Sequence, residues 1–314
     1  MKLEFGLFQL IGGVKMKRVI LFIAVNLLVL LVISSVISLL GLKPWLGANG
    51  INYQSLLIMC ALFGFGGAFI SLQMSRWMAK MSLGVQVIDP QNPQGDLEAQ
   101  IVAKVRGLCQ RAGLETLPEI GIYQSPEVNA FATGPSRRRA LLAISSSLLE
   151  NMDSSAVDGV IGHEISHIVN GDMVTMTLLQ GVVNTFVIFL SQILAFVIEN
   201  AIQKREDERG GLGFIAQFLL INALETVLFL LASPIIYWFS RRREYAADSS
   251  SARLTSPQTM IHALESLQTT LSGQDNRAPA LSTFKINGHG RGLIAALFAS
   301  HPPLDARIEA LKRM

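Results

Sequence analysis

The chain has 314 residues, of which 50% are hydrophobic and only 16% are charged. This composition excludes a disordered chain, a coiled coil and a disulfide-stapled secreted scaffold, and its apolar share exceeds what a soluble domain needs for its core. The net charge of +3 is too small to indicate a nucleic-acid partner. The composition therefore indicates a membrane protein.

Four apolar runs are each long enough to cross a bilayer, because a spanning helix needs about 20 residues. They predict spans at residues 19–40, 51–74, 174–198 and 214–239. The first run is followed by a Gly-Leu-Lys-Pro-Trp segment rather than by a small-residue cleavage site, which favours a retained helix over a secretory signal.

Positive charge near the span ends predicts the orientation of the chain. Eight lysines and arginines fall on one side and four on the other, and the side with the larger number is expected to be cytoplasmic. We therefore expect a cytoplasmic N-terminal segment at 1–18, transmembrane hairpins at 19–74 and 174–239, and one cytoplasmic domain built from 75–173 and 240–314.

The segment before the third span is predicted to be a helix with both ends marked. Apolar residues recur at helical spacing, Ser155 and Asp158 resemble a capping box, and Gly171 is placed to end the helix. His163 and His167 then lie one turn apart on the same face.

The sequence between these histidines follows the pattern His-Glu-x-x-His, which is typical of metalloproteases. Two imidazoles at this spacing can direct their ring nitrogens at one point about 2 Å from each, the geometry that zinc requires. Glu164 follows the first histidine and can reach a water molecule without binding the metal. We therefore expect His163 and His167 to be metal ligands and Glu164 to be the general base.

A catalytic zinc site needs a third protein ligand and an open position. The extended His-x-x-Gly-x-x-His form is absent, because Asn170 and Met173 occupy its last two defined positions. Glu244 and Asp248 follow the fourth span, one helical turn apart. Their spacing fits a third ligand at Glu244 with Asp248 orienting an imidazole, and it fits an ordinary solvated helix face equally well.

Three blocks of sequence carry a resemblance to a known family: HEISH with NGDM at 163–173, REYAAD at 243–248 and SHPPLDARI at 300–308. With the four apolar runs, they resemble the HtpX family of bacterial membrane-bound zinc proteases, which is related to the eukaryotic CAAX prenyl protease. The resemblance spans nearly the whole chain. The residues before Met16 are an extension on the usual pattern of that family.

The resemblance implies a zinc endopeptidase of the bacterial inner membrane with one Zn²⁺ per chain. It would cleave damaged or misfolded membrane proteins from the cytoplasmic side, as part of quality control under stress. The implied fold is α+β, a zincin-like domain with a small β-sheet, anchored by four transmembrane helices. In that family the downstream glutamate binds zinc, which supports Glu244.

The same resemblance suggests that His301 and Arg307 help to hold the tetrahedral intermediate, since a cation and a hydrogen-bond donor stabilise a developing oxyanion. The alternative is a Pro-Pro turn that opens a helix carrying an ordinary surface arginine.

Strand-like patterns at 120–124, 128–133 and 140–145 predict a small sheet, with 134–136 as a turn and Arg137, Arg138 and Arg139 at a loop tip. An extended substrate can add as a strand to a sheet edge. One stretch of this chain resembles the edge strand that binds substrate in the family, and its residues are Asn129, Ala130, Phe131, Ala132 and Thr133. Its pattern alone fits an ordinary interior strand equally well.

The histidines lie within a few helical turns of the third span, so the metal is expected near the bilayer surface. The expected partners are the lipid bilayer and polypeptide substrates, either membrane proteins or unfolded chains. Substrates tethered in the membrane have a high local concentration at the bilayer surface. The sequence contains no Gly-Lys dipeptide, so no Walker-type nucleotide site is expected.

Two alternatives remain, a metal-binding transporter or sensor and an intramembrane protease. A metal-binding transporter or sensor could use the same ligands without hydrolysis, and its support is Glu225, an ionisable residue near the middle of the fourth run. Packing inside a helix bundle, or a span that is shallow or broken, explains Glu225 more simply. An intramembrane protease is disfavoured, because polar residues surround the motif: Asp153, Asp158, Asn170 and Asp172.

Overall fold

The computed structural model describes residues 52–203, 212–275 and 301–314, together with the single residues Ser35, Ser38, Gly41 and Ala299. The predicted N-terminal segment lies outside the described residues, and so does the first predicted span apart from Ser35 and Ser38. The contacts divide the chain into two compact units, a predominantly apolar one (Met1–Phe69 with Thr177–Ala232) and a mixed one (Ile70–Met176 with Ser233–Met314).

Eight helices and four strands make up the described part of the chain. In order they are α1 (Tyr53–Leu83), β1 (Gln86–Ile88), α2 (Gly95–Arg111), β2 (Glu119–Tyr123), β3 (Ala130–Ser136), β4 (Arg139–Ser145), α3 (Ser146–Asn151), α4 (Ser154–Asn170), α5 (Asp172–Gln203), α6 (Phe214–Leu254), α7 (Pro257–Asp275) and α8 (Leu304–Lys312).

Three of these helices, α1, α5 and α6, are long and apolar enough to cross a membrane. They match the predicted spans 51–74 from Tyr53 onward, 174–198 and 214–239, and each helix continues beyond the C-terminal end of its apolar run. Helix α6 continues as far as Leu254, so that Glu244 and Asp248 stand on the same helix as the fourth apolar run.

Close packing between α1 and α5 holds the apolar unit together. Leu57, Cys60 and Phe65 of α1 form a buried cluster with Phe189 of α5. A Cβ atom on Gly64 would lie 2.6 Å from the backbone nitrogen of Thr185, so only glycine permits this approach.

The mixed unit is built on a four-stranded sheet in the order β1-β2-β4-β3. Strands β2 and β4 are parallel, whereas β1 and β3 pair antiparallel with their neighbours. The sequence predicted β2, β3 and β4 but not β1, because a strand of three residues is too short to show an alternating pattern.

The predicted turn at 134–136 is wrong. Strand β3 continues through Ser136, which pairs with Arg139, and the connection is reduced to Arg137 and Arg138. Gly134 lies inside the strand at a φ of 138°, where the register shifts. A glycine in a strand often marks such an irregularity rather than the end of the strand.

The core of the mixed unit lies between one face of the sheet and helices α2 and α4. Its fully buried side chains each contribute about 1.5–3 kcal/mol relative to exposure. The predicted helix at 96–111 is confirmed as α2, and it supplies Val105 and Leu108 to this core beside Ile144 of β4 and Ile161 of α4.

Helix α4 ends as predicted and begins differently. Gly171 has the left-handed conformation that terminates a helix, with φ at 73°. The N-cap is Asp153, whose carboxylate accepts a hydrogen bond from the Ala156 backbone N–H at 2.8 Å. The predicted capping box of Ser155 and Asp158 is therefore wrong, because the side chain of Asp158 instead pairs with Lys104 at 2.7 Å.

Candidate active site

Helix α4 and helix α6 bring three potential metal ligands to one point. The Nε2 atoms of His163 and His167 are 3.1 Å apart. The carboxylate of Glu244 lies 3.5 Å from the first of these nitrogens and 3.4 Å from the second. All three side chains are largely withdrawn from solvent.

These distances fit a bound zinc ion. A tetrahedral zinc with bonds of about 2.0–2.1 Å holds its donor atoms about 3.3–3.4 Å apart. The two Nε2 atoms are 3.1 Å apart, and each lies 3.4 to 3.5 Å from one of the two oxygens of Glu244. The three side chains therefore surround one point that an ion could occupy after a small adjustment of the carboxylate. Two imidazoles and one carboxylate are also a donor set that catalytic zinc uses, with a fourth position left open.

A carboxylate orients the first imidazole through the ring nitrogen that faces away from this point. The Nδ1 atom of His163 lies 2.9 Å from Asp248, a contact that fits the orienting position expected for Asp248. Asp248 in turn accepts two hydrogen bonds from Arg307, at 2.7 and 2.6 Å. With Nδ1 paired to Asp248, the Nε2 atom of His163 faces the point that it shares with His167 and Glu244.

The second imidazole has an equivalent partner that the sequence interpretation missed. The Nδ1 atom of His167 lies 2.6 Å from Asp172, whose other oxygen forms an ion pair with Arg243 Nε at 3.1 Å. From the sequence alone, Asp172 is only one of the polar residues that surround the motif. The signal that could have found it is Gly171, since a left-handed residue turns the chain back toward the end of α4.

Glu164 lies at the side of the cluster and is almost completely buried. Burial raises the pKa of Glu164 above its usual range, while the neighbouring His163 and His167 oppose this shift and Glu244 reinforces it. The backbone N–H of Ala132 in β3 faces the Glu164 carboxylate and opposes the rise in its pKa. A carboxylate with a raised pKa beside a metal position is suited to accept and return a proton.

The histidines respond to the carboxylates that surround them. Burial lowers the pKa of His167, but hydrogen bonds to Asp172 and Glu244 outweigh burial and raise it to about 9. Burial also opposes protonation of His163, and the bonds to Asp248 and Glu244 again prevail, so that its pKa is raised. Because a metal ligand must be neutral imidazole, a bound cation and a proton compete for these rings.

The C-terminal segment brings two further donors to the ligand carboxylate. His301 Nδ1 lies 3.0 Å from Glu244 Oε2, and Arg307 Nη1 lies 3.4 Å from the same oxygen. His301 is largely exposed, whereas the Arg307 side chain is only 8% exposed. The alternative of an ordinary surface arginine is therefore wrong for Arg307.

The predicted substrate strand lies next to Glu164. Strand β3 covers Ala130 to Thr133 and is an edge strand within the described sheet, because it pairs with β4 alone. Asn129 precedes the strand, and its backbone is fixed by the backbone and side chain of Ser145. The interior-strand alternative does not apply to the described sheet, while the role of these residues in substrate binding stays a prediction.

Taken together, the helix with His-Glu-x-x-His, the glutamate from a second helix and the adjoining sheet edge define a metallopeptidase. The chain belongs to peptidase family M48, whose sequence profile matches residues 96–314.

Relatives with assigned names agree with this membership. The chain is 48% identical over 303 residues to a Protease HtpX homolog of Methylacidiphilum infernorum, covering 95% of this chain and 99% of the relative. It is 47% identical over 300 residues to a Protease HtpX of Tolumonas auensis, covering 95% of this chain and 100% of the relative. The sequence-based prediction of a membrane metalloprotease is confirmed, and the transporter or sensor alternative is not favoured.

A solved structure shares the fold. The crystal structure of Ste24p from S. mikatae superposes with a TM-score of 0.59 and 20% identity, covering 89% of this chain and 66% of that chain. At this identity the likeness concerns the fold alone. The fold is mostly helical with a small mixed sheet, as the α+β expectation required.

Proposed function

We propose that this chain is a zinc-dependent endopeptidase of the bacterial inner membrane that hydrolyses peptide bonds in damaged or misfolded membrane proteins. The observation that carries the proposal is the convergence of His163, His167 and Glu244 on one point, with Glu164 at its side. Within a metallopeptidase family, this set assigns one Zn²⁺ to each chain, held by the two Nε2 atoms and the Glu244 carboxylate.

Proton transfer is assigned to Glu164. When bound, zinc supplies Lewis-acid chemistry that acidifies water and polarises a peptide carbonyl. The Glu164 carboxylate takes the proton of the attacking water and later delivers it to the nitrogen of the leaving amine. Its burial keeps that proton from exchanging freely with solvent during the reaction.

The negative charge that develops on the carbonyl oxygen needs a hydrogen-bond donor. His301 and Arg307 are the proposed donors. Both reach the same oxygen of Glu244, so their N–H groups lie at the edge of the ligand cluster. Arg307 carries a permanent positive charge that its bonds to Asp248 hold in place. Donors fixed before the reaction stabilise an oxyanion without reorganisation.

Substrate recognition is assigned to the edge of the sheet. An extended polypeptide would lie along the stretch of Asn129, Ala130, Phe131, Ala132 and Thr133 and pair with the main-chain groups that do not face β4, which demands little of the substrate's side chains. The position of Ala132, whose N–H faces Glu164, supports this proposal, because it sets the strand beside the proton-transferring carboxylate. Broad recognition suits an enzyme that removes misfolded chains.

The proposed membrane arrangement keeps the four-span topology and a zincin-like domain on the cytoplasmic side. It comprises the N-terminal segment 1–18, the hairpins 19–74 and 174–239, and the two parts of the protease domain at 75–173 and 240–314. The apolar helices α1, α5 and α6 support three of the four spans. Polypeptides and the bilayer are the proposed partners, and neither nucleotide nor nucleic acid takes part.

Replacement of Glu164 by Gln tests the proposed reaction. The amide keeps the size of the side chain but cannot accept the proton, so hydrolysis of casein should fall by at least about 10²-fold. Zinc content should be unchanged, because Glu164 is not a ligand. Glu150→Gln, at an exposed position of α3, is the matched control and should remain active. Full casein hydrolysis by purified Glu164→Gln protein would refute the assignment.

A further inference from the structure

One face of helix α1 is fixed to one end of the sheet in the mixed unit. Gln73 accepts a hydrogen bond from Arg139 at 3.0 Å, and Arg76 and Lys80 each contact Glu119 at 2.9 Å. The three helix residues are spaced three and four apart, so they share a face. Arg139 begins β4 and Glu119 begins the parallel strand β2, which places both at the same end of the sheet.

A separate stripe of α1 is apolar and exposed. Met74, Trp77, Met78 and Met81 recur at helical spacing and are 41%, 52%, 51% and 65% exposed. These residues start where the predicted span 51–74 ends. An amphipathic helical turn that continues from a membrane span, with a tryptophan in it, is typical of the lipid headgroup region.

The connection between β3 and β4 adds a strong positive charge at the same end of the sheet. Arg137, Arg138 and Arg139 are consecutive and exposed. Glu115 pairs with Arg138 at 3.3 Å but is itself highly exposed, so this ion pair is weak. Among the described residues named here, five cations stand beside two carboxylates, Glu119 and Glu115.

We propose that this hairpin tip, Arg137 to Arg139, and the apolar stripe of α1 form a binding surface for anionic phospholipid headgroups. The proposal rests on the membrane placement given under Proposed function. Charge complementarity selects the ligand, because each arginine near an anionic membrane surface strengthens binding about fivefold. The bond between Arg139 and Gln73 holds the tip at the depth where the predicted span ends.

The position of this surface has a consequence for substrate entry. Strand β3 runs from the tip at Ser136 back to Ala132, whose N–H faces Glu164. Four residues of strand extend about 14 Å at about 3.4 Å per residue. A polypeptide leaving the bilayer would therefore pair with β3 from the headgroup level onward and reach the proton-transferring carboxylate within one short strand.

The experiment is a lipid titration of the full-length protein in detergent, followed by native mass spectrometry. Phosphatidylglycerol and phosphatidylcholine are added separately to the wild type and to the Arg137→Gln/Arg138→Gln double variant. Arg139 is kept, because it holds the hairpin to α1. The matched control is Arg111→Gln/Arg253→Gln, which removes two exposed arginines of α2 and α6.

The wild type and the control should retain phosphatidylglycerol more tightly than phosphatidylcholine, and the double variant should lose at least about tenfold of that preference. Equal retention of both lipids by the wild type, or an unchanged preference in the double variant, would overturn the proposal. The second outcome would assign the stripe to another occupant, such as the chain's own residues 1–51. Casein hydrolysis, measured in parallel, tests the proposed function separately, since lipid preference does not depend on it.

Discussion

Each imidazole in the candidate metal site is held by a carboxylate of its own. Asp248 contacts His163 and Asp172 contacts His167, both through Nδ1, and an arginine pairs with each carboxylate. Such partners fix the tautomer and orientation of a ligand histidine and increase its basicity. The two halves of the site therefore have the same construction, although one carboxylate comes from α6 and the other from the start of α5.

Asp172→Ala should weaken zinc binding by about 10- to 100-fold, because His167 would lose the partner that directs its Nε2 atom. Asp172→Asn should recover part of the loss, since its amide oxygen can still accept the Nδ1 hydrogen. Competition with a chromophoric chelator measures the affinity directly. Asp158→Asn, which alters an acidic residue of the same region outside the cluster, is the control. Equal affinities for all three variants would contradict the role assigned to Asp172.

Some residues of the candidate site could be predicted from the sequence and others could not. His163, Glu164 and His167 were found because helical geometry converts a spacing into a shared face. The spacing alone does not decide whether Glu244 is a metal ligand, because the approach of α6 to α4 depends on tertiary packing. The family resemblance is what supports Glu244. Asp172 was missed because its position depends on the left-handed turn at Gly171.

At the scale of elements, the approach of α7 to α4 depends on a residue without a side chain. A Cβ atom on Gly159 would lie 2.6 Å from Ala263 and 2.9 Å from the carbonyl oxygen of Thr259. The backbone oxygen of Gly159 also accepts a hydrogen bond from Ser251 of α6 at 3.0 Å. This glycine stands one turn before His163, so the packing of three helices sets the position of the metal ligands.

Gly159→Ala should lower the melting temperature of the protein. Overpacking costs about 1–3 kcal/mol, and a backbone oxygen cannot move aside, whereas alanine regains only about 1 kcal/mol of helix propensity. Gly107→Ala in α2 is the control, because its Cβ would meet nothing within 4 Å and should raise stability. The two changes are compared by thermal unfolding in detergent. A higher melting temperature for Gly159→Ala would contradict the close contact between α4 and α7 at this position.

Element boundaries were predictable where a long pattern existed. The periodicity of α2 and the apolar runs of α1, α5 and α6 identified these helices, since each repeats its pattern over several turns. Strand β1 was not predictable, because three residues are too few to show an alternating pattern. The hairpin turn was misplaced because a glycine occurs both at turns and at irregularities inside strands, and Gly134 lies at an irregularity inside β3. The N-cap of α4 was misplaced by two residues for a similar reason, as Asp153 and Ser155 are both good caps.

At the scale of the whole molecule, the metal would join two polar segments that are far apart in sequence. His163 and His167 come from the first, and Glu244 comes from the second, which follows two apolar runs in the sequence. A ligand that binds only the folded state stabilises it, and a cross-link between distant segments also restricts the unfolded chain. The proposed zinc ion is therefore both a catalytic and a structural component.

Chelation should lower the melting temperature of the wild type, and added zinc should restore it, because the bound ion contributes to the free energy of unfolding. Glu164→Gln should respond in the same way, since it retains the three ligands. Glu244→Ala should melt at a lower temperature and respond little to either treatment. Thermal unfolding with and without chelator distinguishes these cases, and a wild type that is indifferent to chelation would speak against a structural role.

The proposed reaction depends on a single zinc ion bound by His163, His167 and Glu244. Zinc-edge X-ray absorption on the purified full-length protein measures this coordination directly. We expect one zinc per chain with only nitrogen and oxygen neighbours at about 2.0–2.1 Å, including the scattering pattern of two imidazoles, and loss of that pattern in His167→Ala. Sulfur neighbours at about 2.3 Å, or an unchanged spectrum in Glu244→Ala, would contradict the claim.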